Sequence, residues 1–161
     1  MIRQRIRQFF EASRAPATSD LAFAREHLPG NLWPLFLGQT PRDQLHSINA
    51  ARYLLRHGHA EPDLIAAALV HDIGKGQQRR VDRVVYVLAT AAGTVDRLAD
   101  RGSRLEWRRA VARSLHHSEA GAAMLEAAGA SPAIVDLVRR HHAREVQDAM
   151  LTALQGADAA T

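Results

Sequence analysis

The chain contains no cysteine. Neither a disulfide framework nor a thiolate metal site is open to it, so zinc fingers are excluded and any bound metal must be held by nitrogen and oxygen donors. Aromatic residues make up only 5%, and lysine is nearly missing: of 21 cationic side chains, all but Lys75 are arginine. The net charge of +4 and the pI near 10.5 come from arginines scattered in ones and twos. Nucleic-acid binders more often gather such charge into a stripe with stacking aromatics, so a solvated arginine-rich surface is expected and a nucleic-acid partner is not. No apolar run approaches the roughly 20 residues of a membrane helix. The N-terminal Met-Ile-Arg-Gln-Arg-Ile-Arg lacks the apolar core of a signal peptide. The expectation is a cytoplasmic protein with no membrane partner. Internal repeats, low-complexity blocks and segments alternating with period two are also missing, which leaves an all-α bundle of roughly seven to nine helices.

At 161 residues the chain reads as a single compact domain. Residues 1–38 supply N-terminal helices and an apolar covering segment, and residues 39–161 form the main body. The covering segment, residues 31–38, carries Leu32, Trp33, Leu35, Phe36 and Leu37 around Pro34. It is too apolar for a solvated loop and is expected to cover the core, form a homodimer contact or act as a substrate lid. Residues 2–13 read as a basic amphipathic helix docking on the core through Ile2, Ile6, Phe9 and Phe10. Thr40-Pro41-Arg42-Asp43 starts a helix, with Thr40 as N-cap and Pro41 at the first position. Its apolar stripe is Leu45, Ile48, Ala51 and Leu55; His46, Asn49, Ala50 and Tyr53 form a neighbouring stripe with Arg42 one turn earlier, as in the wall of a site. Val81, Val84, Val85 and Leu88 follow a core-facing helical spacing. Ser103 and Glu106 suggest a capping box ahead of inward Leu105, Val111 and Leu115.

The centre of the chain is residues 64–76, Leu-Ile-Ala-Ala-Ala-Leu-Val-His-Asp-Ile-Gly-Lys-Gly. Three alanines favour helix over strand, Pro62 suits a first helical position and Gly74 a C-terminal cap. An element apolar on every side belongs at the middle of a domain, and this one ends in an imidazole and a carboxylate, His71 and Asp72. Adjacent helical residues point roughly 100° apart, so both can reach an ion lying between them, which would offset the cost of burying them. The plainer reading is a helix C-terminus with His71 on the dipole and Asp72 in a surface ion pair. Lys75 follows directly; as the single lysine it suggests a compact charge for a phosphate.

The His71-Asp72 pair resembles the signature of the HD-domain superfamily of metal-dependent phosphohydrolases, which are helical bundles. Other fragments agree in order: His46 upstream, His117 in His-x-x-x-Gly121-Ala122, His141 in Val-Arg-Arg-His, and Asp158 in a closing Ala-Asp. The resemblance covers about residues 42–158. It implies His46, His71, Asp72, His117, His141 and Asp158 as ligands of one or two divalent transition metal ions (Fe, Mn, Co, Ni or Zn), with Asp72 bridging and Gly121 where a neighbouring backbone approaches. His116 and His142 are then spare, His142 a lesser ligand candidate, and Asp148 a fallback for Asp158 near the end of a last helix over residues 145–157.

The chemistry implied is hydrolysis of a phosphate ester or anhydride in a small phosphorylated substrate, in the first instance a nucleotide. Asp72 and Lys75 would be catalytic, with Lys75, Arg42, Arg79, Arg80 and Arg140 as phosphate contacts. The ligand pattern is similar to that of bacterial HD-class diadenosine tetraphosphate hydrolases. The Gly-Tyr-Pro motif of the cyclic-dinucleotide phosphodiesterases is missing, since Ala-Arg-Glu-Val follows His142, as is the His-Asp-x-x-Glu-Asp of the alarmone hydrolases. The same ligand set also occurs in HD-type di-iron oxygenases, and a non-catalytic nucleotide-binding module is a third reading.

Overall fold

A computed structural model describes residues 15–76, 80–144 and 147–161. Among the described residues there are ten α-helices and no strand, so the class is all-α as expected, with a helix count just above the seven to nine inferred. They are α1 (Thr18–His27), α2 (Trp33–Leu37), α3 (Pro41–Arg56), α4 (Pro62–Val70), α5 (Arg80–Ala91), α6 (Val95–Leu98), α7 (Glu106–Leu115), α8 (His117–Ala127), α9 (Pro132–Arg140) and α10 (Ala149–Ala160). Short 3₁₀ turns stand at Gly30–Leu32 and Ile73–Lys75. The helix expected over residues 2–13 lies outside the described residues. No described helix is long and apolar enough to cross a membrane.

Helix α4 is buried along residues 64–70, and α1, α2, α3, α9 and α10 pack around it. Burying each of Leu64, Ile65, Leu69 and Val70 is worth about 1.5–3 kcal/mol, more than any propensity term in so short a helix. Leu32 and Phe36 of the covering segment are fully buried in the same core, and Trp33 stacks on Phe36. Of the three readings of that segment, core cover is the one its burial supports. Helix α3 starts as its sequence implies: Thr40 Oγ1 accepts from the Asp43 N–H at 3.2 Å and donates to the Asp43 carboxylate at 2.6 Å. Ser131 caps α9 through the Ile134 N–H at 3.3 Å.

Several local expectations are corrected. The buried face of α3 runs through Gln44, Ser47, Ile48, Ala51 and Leu54, with Leu45 and Leu55 only half-buried. Two polar residues hold that face because they hydrogen-bond there, a point taken up below. Leu88 is 64% and Leu105 53% exposed. Helix α5 packs on α6 and α7, with Ala89 buried and Leu88 exposed; the side chains of Val81 and Val84 lie outside the described residues. Helix α7 begins at Glu106, after Leu105, and Glu106 pairs with Arg109 and Arg113 in place of a capping box. Helix α10 starts at Ala149, where Asp148 is the N-cap.

Gly74 is not the cap of α4. The helix stops at Val70 because its last carbonyls are taken by side chains: His71 Nδ1–H donates to Ala68 O at 2.9 Å and Gln39 Nε2 to Leu69 O at 3.0 Å. Gly74 lies where the 3₁₀ turn meets the start of α8, and a Cβ there would fall 2.0 Å from His117 O and 2.6 Å from Gly121 N. Gly121 is the reciprocal side of this contact, its own Cβ position 3.4 Å from Gly74 N. The glycine thus lets the turn carrying Asp72 and Lys75 approach the helix carrying His117. Gly74→Ala is expected to lose at least about 1–3 kcal/mol, the usual cost of overpacking, in urea denaturation; a loss within about 0.5 kcal/mol would show that the two backbones part freely.

Candidate metal centre

Three of the histidines stand where a helix ends. His71 follows α4, His141 follows α9, and His117 lies just past the end of α7. In each case the ring Nδ1 meets the carbonyl three residues back: Ala68 O at 2.9 Å, Ser114 O at 2.7 Å and Val138 O at 2.6 Å. A carbonyl only accepts, so Nδ1 carries the proton of each neutral ring and Nε2 presents a bare lone pair. The helices also turn their negative dipole ends toward the same place, which favours a cation.

The lone pairs converge. His117 Nε2 is 3.1 Å from His141 Nε2 and 3.1 Å from His142 Nε2. Lone pairs that close repel unless a proton or a cation sits among them. Asp72, almost wholly buried, aims its oxygens two ways: Oδ1 lies 3.3 Å from His117 Nε2 and Oδ2 lies 3.5 Å from His71 Nε2. Asp158 Oδ1 lies 2.8 Å from His46 Nε2 and 3.4 Å from His71 Nε2. The structure therefore brings His46, His71, Asp72, His117, His141 and Asp158 into one cluster. Asp158 reaches it because α10 continues through Ala160, past the residue-157 end inferred from the sequence.

The donors fall into two triads of mutually close atoms, His46–His71–Asp72 and His117–His141–His142, with the Asp72 carboxylate facing both. His142 is thus no spare: it stands at the solvent edge with its ring 4.0 Å from that of His141 and 4.9 Å from that of His117, centroid to centroid. His116 is exposed and outside the cluster. Asp148 is no substitute for Asp158. Its Oδ1 accepts from the N–H groups of Met150 and Leu151 at 2.9 and 3.2 Å, and its Oδ2 faces Arg140 at 3.8 Å.

Lys75 Nζ donates to Asp72 Oδ2, reaching in from a side chain that is 21% exposed. Arg140 pairs with Asp136 at 2.7 Å, which commits it to the surface between α9 and α10. Arg42 is exposed on the first turn of α3. Arg79 and the side chain of Arg80 lie outside the described residues.

Charge in the cluster is set by competition. Burial acts against ionising Asp72 and Asp158, yet His71, His117 and Lys75 hold Asp72, and His46 and His71 hold Asp158, well below the usual carboxylate range. Burial likewise opposes charge on His71, but Asp72 and Asp158 outweigh it and raise its pKa. His141 has no carboxylate neighbour of that kind; burial, then the charges of His71 and His142, push it down to about 3. His142 is lowered by partial burial and by His117. Two carboxylates and five imidazoles thus share one pocket, with the carboxylates held ionised and His141 held neutral.

The buried Nε2 of His71 and Oδ1 of Asp72 have no hydrogen-bond partner. Such atoms are costly to bury, and here they point at each other's neighbours across the space where the lone pairs meet. An all-nitrogen-and-oxygen set of this kind fits a divalent first-row ion. Residues 45–160 match the HD domain family model, and the chain belongs to that family. No curated protein and no solved structure matches it.

The sequence reading missed the carbonyl anchors and the place of His142. The anchors had a signal, a histidine one or two residues past the last helical position. The choice between His141 and His142 rested on the Val-Arg-Arg-His resemblance alone, because the two are adjacent and the turn geometry decides what each ring faces.

Keeping His141 neutral and buried makes the fold sensitive to acid. A free imidazole titrates near 6.5 while the folded His141 stays neutral to about 3. Between those values the unfolded chain binds the extra proton, so this contribution is complete above 6.5 and drains away as pH falls toward 3. In chelator-treated protein, the stability of His141→Asn should fall less steeply than wild type across that window. Parallel slopes in denaturant titrations would contradict the neutral, buried state of His141.

Proposed function

We propose that the chain is a metal-dependent phosphohydrolase that cleaves a phosphate ester or anhydride of a small phosphorylated substrate, in the first instance a nucleotide. Membership of the HD domain family gives the general class. The observation that carries the finer reading is Lys75, the single lysine in the chain, whose ammonium pairs with the most buried carboxylate of the cluster from a partly exposed side chain.

In this reading His46, His71, Asp72 and Asp158 hold one divalent ion and His117, His141 and Asp72 a second, with His142 within reach of it. Iron, manganese, cobalt, nickel and zinc all suit the donors. Bound there, such ions supply an acidified water and Lewis-acid contacts to phosphoryl oxygens. The chain's own residues do the rest. The Nδ1–H bonds of His71, His117 and His141 to their carbonyls keep the rings from turning, which fixes donor geometry before substrate arrives. Lys75 offers the incoming phosphoryl group a point charge, and when an oxygen of that group displaces the Asp72 contact the ammonium neutralises charge that grows in the transition state. A water oxygen forms the new bond to phosphorus, the bond to the leaving oxygen breaks, and that oxygen takes a proton. Of the arginines proposed as further phosphate contacts, Arg140 has the weakest support, because Asp136 already engages it.

The test is a panel of nucleotides, bis-nucleoside polyphosphates and aryl phosphates assayed with each of the five metals. Hydrolysis is expected with at least one combination. Lys75→Met keeps the stem and removes the charge; it should retain fold and metal content while turnover falls roughly 30- to 1000-fold, the loss of about 2–4 kcal/mol of transition-state stabilisation. Absence of hydrolysis with every metal, together with O₂ consumption by the reduced iron-loaded protein, would favour the oxygenase chemistry. Nucleotide binding without turnover of either kind would make the domain a binding module.

A further inference from the structure

The buried face of α3 holds a polar chain that the metal cluster does not include. Gln39 is 5% exposed and Ser47 fully buried. Gln39 Nε2 donates to Leu69 O at 3.0 Å, and the Ser47 hydroxyl donates to Gln39 Oε1 at 3.1 Å. The orientation of the amide is fixed by these partners, since a backbone carbonyl can only accept and the hydroxyl is left to donate to the oxygen. Gln39 is itself held in place: Gln44 Nε2 lies 3.3 Å from Gln39 O and 3.2 Å from Leu37 O. The Gln39 amide and the Ser47 hydroxyl thus both have partners, which is the condition for burying them without a large penalty.

What matters is where the chain begins and ends. Ser47 directly follows His46 on α3. Leu69 O is one of the last carbonyls of α4, next to Ala68 O, which takes the Nδ1–H of His71. A single side-chain amide therefore spans from the residue beside one histidine to the turn that aims another, and the two rings lie 5.3 Å apart between centroids. An apolar side chain of the same length would fill this volume equally well. It would leave Leu69 O and Ser47 Oγ without this partner and remove the directional link that Gln39 makes between α3 and α4.

We propose that Gln39 is a positioning residue for the metal centre. It touches neither histidine; its amide sets the spacing of α3 and α4 and so the separation of the His46 and His71 donors. The inference rests on the metal reading above, and the experiment separates the two. Co²⁺ is titrated into the full chain while the visible absorption bands, which report coordination geometry, are recorded for wild type, Gln39→Met and Ser47→Ala. Leu32→Val, in the covering segment just before Gln39, serves as a packing control. Gln39→Met should weaken Co²⁺ binding about 10- to 100-fold, the usual effect of losing an outer support of a ligand, and shift the bands. Ser47→Ala should move both in the same direction by less. Leu32→Val should lower the melting temperature while leaving Co²⁺ affinity and spectrum as in wild type. Unchanged affinity and spectrum in Gln39→Met would overturn the role of Gln39 alone; if that variant does not fold, unchanged values in Ser47→Ala would do so. A wild type that takes up no Co²⁺ would overturn the metal reading and this inference with it.

Discussion

The hydrogen bond from an imidazole Nδ1–H to the carbonyl three residues back is the interaction on which the rest of the centre depends. A helix leaves its last carbonyls without intrahelical partners, and a histidine placed one or two residues past the end can satisfy one of them. Doing so decides the tautomer, leaves Nε2 with its lone pair free, and places the ring at the negative end of the dipole. Three helices, α4, α7 and α9, end in this way at one place. None of the three bonds is unusual alone. Together they assemble lone pairs that repel one another at about hydrogen-bond distance, a state whose natural resolution is a shared cation.

The remainder of the fold serves that convergence. Helix α4 has to be apolar on all sides because it runs through the middle of the bundle, and its burial fixes the position of His71 and Asp72 far more firmly than a surface helix would. The Gly74–Gly121 contact brings the 3₁₀ turn and the start of α8 together, so that Asp72 can face both His71 and His117. Helix α10 closes the cluster from the other side: Leu151, Leu154 and Ala157 are buried in the core, and Asp158, one residue on, looks into the site. That packing explains why a carboxylate so near the end of the described chain is held in place when helix ends commonly fray.

Much of this was legible in the sequence, and the limits have physical causes. The helical class followed from the missing period-two segments, and the order of His46, His71-Asp72, His117, His141 and Asp158 marked the residues that the fold brings together. Helix starts with a dedicated cap, Thr40 and Ser131, were also readable, because a cap is a local interaction between residues close in sequence. Contacts between distant segments were not. Gly74 carries the same residue type whether it caps a helix or admits a neighbour's backbone, and only the approach of α8 distinguishes the two. Asp148 and Asp158 are the same residue in similar surroundings of sequence; one starts α10 and spends its carboxylate on two backbone N–H groups, whereas the other sits in the last turn. Leu88 satisfied a core-facing period, yet the packing of α5 on α6 and α7 leaves it exposed. Gln39 stands between the covering segment and a helix cap with no local feature to mark it, because its partner Leu69 lies beyond α3.

The converging imidazoles and carboxylates should hold a metal ion that contributes to the stability of the fold. Elemental analysis of protein purified without chelator, paired with its melting temperature before and after chelation, tests this most directly. At ion concentrations about a hundredfold above the dissociation constant, a bound ion adds about 2.7 kcal/mol, which for a chain of this size corresponds to roughly 5–10 °C. At least about one ion per chain is expected, with a fall of that order on chelation that is reversed by adding the metal back. Less than about half an ion per chain, with the same melting temperature in both states, would contradict it.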